Sequence, residues 1–183
     1  AIVCEGFEAG GHNGRDETTT MCLIPNIVKN VSIPVVAAGG IGCGRSMLAA
    51  MTLGADAVQI GSRFVASNEC SAHINFKNEV IKAGEGDTIL SLKQLTAVRL
   101  SKNNFYDQIQ KAESKGVSVD ELRKILGRGR SKKGMFEGDI TEGELEIGQV
   151  SAMINEIMPV KDIINNIITD FNSQNDRISS ISF

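Results

Sequence analysis

Three short runs, Ile2 to Cys4, Pro34 to Ala38 and Ala57 to Ile60, are apolar but for Gln59 in the third, and each meets a glycine directly or after one residue. A strand with one wet face alternates apolar and polar side chains, whereas an unbroken run marks a strand covered on both faces, as in a parallel sheet. After each run comes a glycine-containing loop and then a segment of helical spacing: Thr20 to Asn30, Arg45 to Leu53, and Glu69 to Ala83. The order is βαβαβα. Units of roughly 25 to 35 residues suit right-handed crossovers, so the expected class is α/β, either a doubly wound sheet or part of a barrel. The opening Ala1-Ile2-Val3-Cys4 has the character of strand interior without a polar lead-in, which predicts further chain upstream.

From Thr88 the pattern lengthens into a helical extension. Leu92 to Leu100 stays open between strand and helix; Asn104 to Lys115 and Ser118 to Leu126 have helical spacing, the latter with Ser118 as N-cap and Glu121 three residues on. An amphipathic helix is expected over Ser151 to Phe171, and a frayed polar tail over Asn172 to Ser180. The expected division is 1–90 for the βα units, 91–147 for a helical subdomain, and 148–183 for a C-terminal helix and tail.

With 183 residues, 42% of them hydrophobic, the chain can bury a core. A net charge of -3 with interspersed signs offers no basic footprint for nucleic acid. Its longest apolar stretches, such as Ile33 to Ala38, are strand-length, and no charged-then-apolar leader opens the sequence, so neither a membrane span nor secretion is expected and the location is taken as cytoplasmic. Cys4, Cys22, Cys43 and Cys70 lack close pairing, which predicts free thiols and no metal site. The basic tract Arg123 to Lys133 fits a solvated surface, with capture of an anionic ligand left open.

The first strand exits into Glu5-Gly6-Phe7-Glu8-Ala9-Gly10-Gly11-His12-Asn13-Gly14. Gly10 and Gly11 permit close backbone approach to a flat ligand, and His12 can exchange protons near neutral pH; a purely structural turn weighs equally on the loop alone. Glu5 and Glu8 are expected to position the loop more than to move protons. The second run ends Ala37-Ala38-Gly39-Gly40-Ile41 and the third Gln59-Ile60-Gly61-Ser62-Arg63-Phe64. Successive βα loops of this kind build a phosphate site from backbone amides and a hydroxyl, which places Gly39, Gly40, Gly61 and Ser62 around a phosphate. Arg63 suits phosphate or a structural carboxylate. His73, Met47, Met51, Met153 and Met158 suit packing roles.

Taken with Gly148-Gln149, these motifs are similar in order and spacing to the FMN-dependent nitronate monooxygenase / enoyl-acyl-carrier-protein reductase II family. The resemblance implies the C-terminal portion, with the last three strands, of a (β/α)₈ TIM barrel, and non-covalent FMN at its mouth. It implies a catalytic role for His12 and cofactor contacts for Gly10, Gly11, Ala38, Gly39, Gly40, Gly61, Ser62 and Gln149. Threonine is usual in the family where Ser62 stands, and Ser151 belongs with Gln149 to a segment returning towards the flavin. A complete barrel needs roughly 250 residues, so the family's first five strands have no counterpart here and the fragment alone is expected to be inactive. The implied activity is oxidation of an alkyl nitronate by oxygen; the alternative is NAD(P)H-dependent reduction of an enoyl thioester, with NAD(P)H as electron donor. A third reading, from another class, is a non-catalytic half-barrel that binds a phosphate ligand. Expected partners are the small-molecule substrate, the missing barrel half or another chain, and a second copy in a homodimer.

Overall fold

A computed structural model describes residues 1–182. All three apolar runs are strands, β1 (Ile2–Glu5) being followed by a two-residue β2 (Gly11–His12), and then by β3 (Val35–Ala38) and β4 (Ala57–Gln59). β1, β3 and β4 pair in that order and in parallel, with Glu5 level with Ala38 and Ala38 level with Gln59. The C-terminal ends of the strands thus form one even rim, the edge at which parallel α/β sheets place their ligands. Helices α1 (Thr20–Val28) and α2 (Gly44–Thr52) cover the sheet, and Cys4, Ile24, Val35, Ala37 and Ala50 share the core between them. The third unit closes with a one-turn α3 (Ser62–Val65) and then α4 (Ile74–Lys82), so the segment expected as one helix from Glu69 begins five residues later. His73 is the cap of α4, its Nδ1 accepting from the Asn75 amide at 3.1 Å.

The extension is not all helical. Thr88–Ser91 (β5) and Val98–Ser101 (β6) form an antiparallel hairpin, and β2 adds to its far edge to give the order β2-β6-β5. This strand pair was hidden by Arg99, which sits in the central strand with 1% of its surface exposed. Its guanidinium donates to the Phe7 carbonyl at 2.9 and 3.1 Å and lies 4.3 Å from the Phe7 ring centroid. A cation satisfied in this way breaks the apolar run without breaking the strand. Helices α5 (Asn104–Ser114) and α6 (Val119–Leu126) follow, Phe105 and Ile109 of α5 packing on Leu92. Ser118 and Glu121 make the reciprocal cap that their spacing predicts.

In the basic tract, Arg123, Arg130, Lys132 and Lys133 each meet a carboxylate. Arg130 also donates to the Ile125, Leu126 and Glu142 carbonyls and stacks over Phe105, fastening the end of α6. Near the C-terminus, a 3₁₀ turn (Gln149–Met153) is separated from helix α7 (Val160–Ser179), where one helix over Ser151 to Phe171 was expected. Pro159 explains the break: it lacks an amide proton and stands in an extended conformation as the cap of α7. The polar stretch Asn172 to Ser179 continues α7 and is not a frayed tail. Among the described residues, no helix is long and apolar enough to cross a membrane.

Candidate functional site

At the strand rim lies a cleft of about 210 Å³. Gly10 from the first loop, Ala38, Gly39 and Gly40 from the second, and Gly61 and Ser62 from the third all line it. The fourth wall comes from far along the chain: Glu146, Ile147 and Val150, which sequence reasoning missed because no apolar run or familiar spacing marks them.

Local chemistry explains how these loops meet. Glu8 turns back from the first loop and accepts from the Thr20 amide at 3.0 and 3.1 Å and from the Thr20 hydroxyl at 3.0 Å, capping α1. That hydroxyl also reaches the Gly39 carbonyl at 2.9 Å, tying the first loop to the second. The positioning role expected for Glu8 is what these contacts describe. Gly39 and Gly40 have φ of +87° and +70°, and a Cβ on Gly39 would stand 2.7 Å from the Gly6 carbonyl oxygen. Only glycine meets both demands without strain. On the far wall, a Cβ on Gly10 would stand 2.4 Å from the Gly148 nitrogen, so the two backbones are in direct contact. Gly148 donates to Ser62 Oγ at 3.0 Å, and the Gln149 amide to the Glu8 carbonyl at 2.9 Å.

Donors are the cleft's chemical asset. Among the described residues the amides of Gly40, Gly61 and Ser62 have no hydrogen-bond partner. The Ser62 hydroxyl uses a lone pair for Gly148 and keeps its proton to give. Space around Gly61 is open, with nothing within 4 Å of where its Cβ would stand. Unpaired amides and a free hydroxyl fit a phosphate group, while the carboxylates of Glu5, Glu8 and Glu146 also line the cleft.

Not every expected residue joins them. His12 is exposed and lines a neighbouring cavity of about 220 Å³ with Leu92, Leu95, Val98, Leu126, Arg130, Ser131 and Glu144. Gly11 lines neither space, and a Cβ on it would stand 2.7 Å from Glu146 Oε2. Gln149 contributes its backbone bond to Glu8, but its side chain does not line the cleft. Ser151 is fully buried, and its hydroxyl has no partner among the described residues. Arg63 turns away to the carbonyls of Glu156 at 3.0 Å and Ala66 at 3.4 Å, meeting neither a phosphate loop nor a carboxylate. Burial pushes the Glu144 carboxyl above the usual range, and the nearby Glu146 adds to the effect.

Comparison with known proteins bears on this geometry. A family model described as nitronate monooxygenase matches residues 1–170. A probable nitronate monooxygenase of Bacillus subtilis is 32% identical over 172 residues, covering 90% of this chain and 49% of its own length. FabK from Thermotoga maritima superposes with a TM-score of 0.91 at 38% identity, over 97% of this chain and 56% of that one. Nitroalkane oxidase from Streptomyces ansochromogenes shares the fold, with a TM-score of 0.80 at 24% identity over 97% of this chain and 53% of that one. The chain spans about half the length of the curated relatives that it matches over most of its own.

Proposed function

The chain belongs to the nitronate monooxygenase / enoyl-acyl-carrier-protein reductase II family, and from that membership we propose that it forms the phosphate-binding side of an FMN-dependent oxidoreductase that oxidises alkyl nitronates with oxygen to a carbonyl compound and nitrite. Its parallel sheet is the three-stranded C-terminal portion of a (β/α)₈ barrel. One observation carries the reading: Gly40, Gly61 and Ser62, whose amides are unpaired among the described residues, line one cleft together with the Ser62 hydroxyl.

When bound, FMN supplies the electron-carrying ring. The residues of this chain would hold its phosphate side. Gly39, Gly40, Gly61 and Ser62 hold the phosphate through backbone and hydroxyl donors. Gly10 lets the Ile147–Gly148 backbone close against the first loop and so sets the far wall of the cleft. His12, on β2 beside the cleft, orients the substrate or holds a proton for it.

A second reading, reduction of an enoyl thioester with NAD(P)H as donor, is favoured by the cavity at His12, whose wall of Leu92, Leu95, Val98 and Leu126 suits an acyl chain. The visible spectrum of the flavin-loaded protein, taken without oxygen, separates the two. Bleaching by an alkyl nitronate alone supports the monooxygenase; bleaching by NAD(P)H alone transfers the assignment to the reductase; a protein that takes up no FMN refutes both.

A further inference from the structure

The segment Glu144 to Glu146 runs antiparallel beside β6, Leu100 bridging to Glu146 and the Ser101 amide donating to the Leu145 carbonyl. Alternation along an extended chain sends the side chains of Glu144 and Glu146 to the same side. There both meet Ser131: its hydroxyl oxygen lies 2.9 Å from Glu144 Oε2 and 2.5 Å from Glu146 Oε1. A serine hydroxyl owns one proton. If both carboxyls were ionised, one of these short contacts would set oxygen lone pairs against each other beside a second negative charge. A proton on one carboxyl makes both contacts hydrogen bonds, one given by Ser131 and one received by it.

The surroundings agree. Glu144 is 6% exposed. The charged groups facing the pair are His12 on β2, Arg130 just before Ser131, and Glu5 and Glu8 across the cleft. Arg130 is occupied by the Ile125, Leu126 and Glu142 carbonyls and by the Glu142 carboxylate. Glu8 is occupied by Thr20. Burial and the neighbouring Glu146 favour the neutral form of Glu144.

We propose that Glu144, Ser131 and Glu146 share one proton and pass it from the cavity at His12 to the glycine-floored cleft, where Glu146 is the terminal donor. Ser131 and Glu144 line the first space and Glu146 the second, so the three residues bridge clefts that the backbone keeps apart. In the transfer, the Glu144 proton moves to Ser131 as the Ser131 proton moves to the ionised Glu146, and the Glu146 O–H so formed breaks as its proton goes to a basic atom of the bound molecule. Water in the cavity at His12 then reprotonates Glu144, leaving hydroxide to the solvent. No electrons move. The relay deepens the flavin reading and rests on it for its acceptor.

Carbon-13 NMR of the glutamate-labelled, flavin-free chain tests the shared proton by following the side-chain carboxyl shifts with pH. The expected result is a coupled pair, with one step well above the ordinary value of about 4.3. Ser131→Ala should collapse that coupling, and Ser131→Thr, which keeps the hydroxyl, should restore it. Independent titration of both carboxyls near about 4.3, or curves unmoved by Ser131→Ala, overturns the proposal. In the flavin-loaded protein, Glu146→Gln should lower kcat about 10²-fold and flatten its pH profile; unchanged kcat and profile overturn the delivery step. Failure of the two readings is distinguishable: coupled carboxyls in a chain that binds no FMN support the shared proton and refute the flavin reading, whereas FMN binding with uncoupled carboxyls does the reverse.

Discussion

Gly148 donates its amide proton to Ser62 Oγ at 3.0 Å across 86 positions of sequence. This bond joins the returning C-terminal segment to the third βα loop and orients the hydroxyl that faces the cleft. Ser62→Ala strands the Gly148 amide, with an expected cost of about 1–3 kcal/mol. Ser62→Thr keeps the oxygen and should lose much less. Urea unfolding of the two variants checks this; equal stability loss means that the hydroxyl does not hold the segment.

Gly40 adopts a φ of +70° over the Glu8 side chain, whose Cβ would stand 3.3 Å from a Cβ placed on it. Gly40→Val puts a branched side chain in a left-handed conformation at a cost of about 1–3 kcal/mol and intrudes on the cleft. Unfolding should show the loss of stability and fluorescence titration a weakened hold on FMN. Tight FMN binding by the variant refutes the phosphate assignment.

His12 stands in the cavity beside the glycine-lined cleft and not in it. His12→Ala should therefore leave flavin affinity near wild type while lowering turnover about 10²- to 10⁴-fold. Steady-state kinetics on the flavin-loaded protein decides the point, and unchanged turnover removes His12 from the mechanism.

Asp139 accepts from the amides of Glu142 and Thr141 and pairs with Lys133, and the Glu142 amide and Lys133 hold its carboxyl down from the ordinary 3.8 to about 2. A depressed folded-state pKa means that the unfolded chain binds the proton first as pH falls. The contribution is thus complete above the ordinary value and is lost between about pH 4 and pH 2. Thermal unfolding should show wild type losing stability faster than Asp139→Asn across that window; parallel curves contradict the assignment.

Much of this molecule is legible in its residues. Continuous apolar runs ending at glycine specify β1, β3 and β4, and Gly39-Gly40 with Gly61-Ser62 mark the loops that line the cleft. What escaped depends on partners distant in sequence. The central strand β6 is concealed by Arg99, whose charge is absorbed by the Phe7 carbonyl. Glu146 carries no local signal, because its place in the cleft comes from pairing with β6. The break before α7 is written in Pro159, which falls inside the span Ser151 to Phe171 expected as one helix.

A cleft that holds the phosphate of FMN should distinguish FMN from riboflavin, which lacks that phosphate. Calorimetric titration of the chain with each ligand in parallel measures the difference. FMN should bind and riboflavin far more weakly; equal binding of the two, or no binding of FMN, rules out the phosphate site.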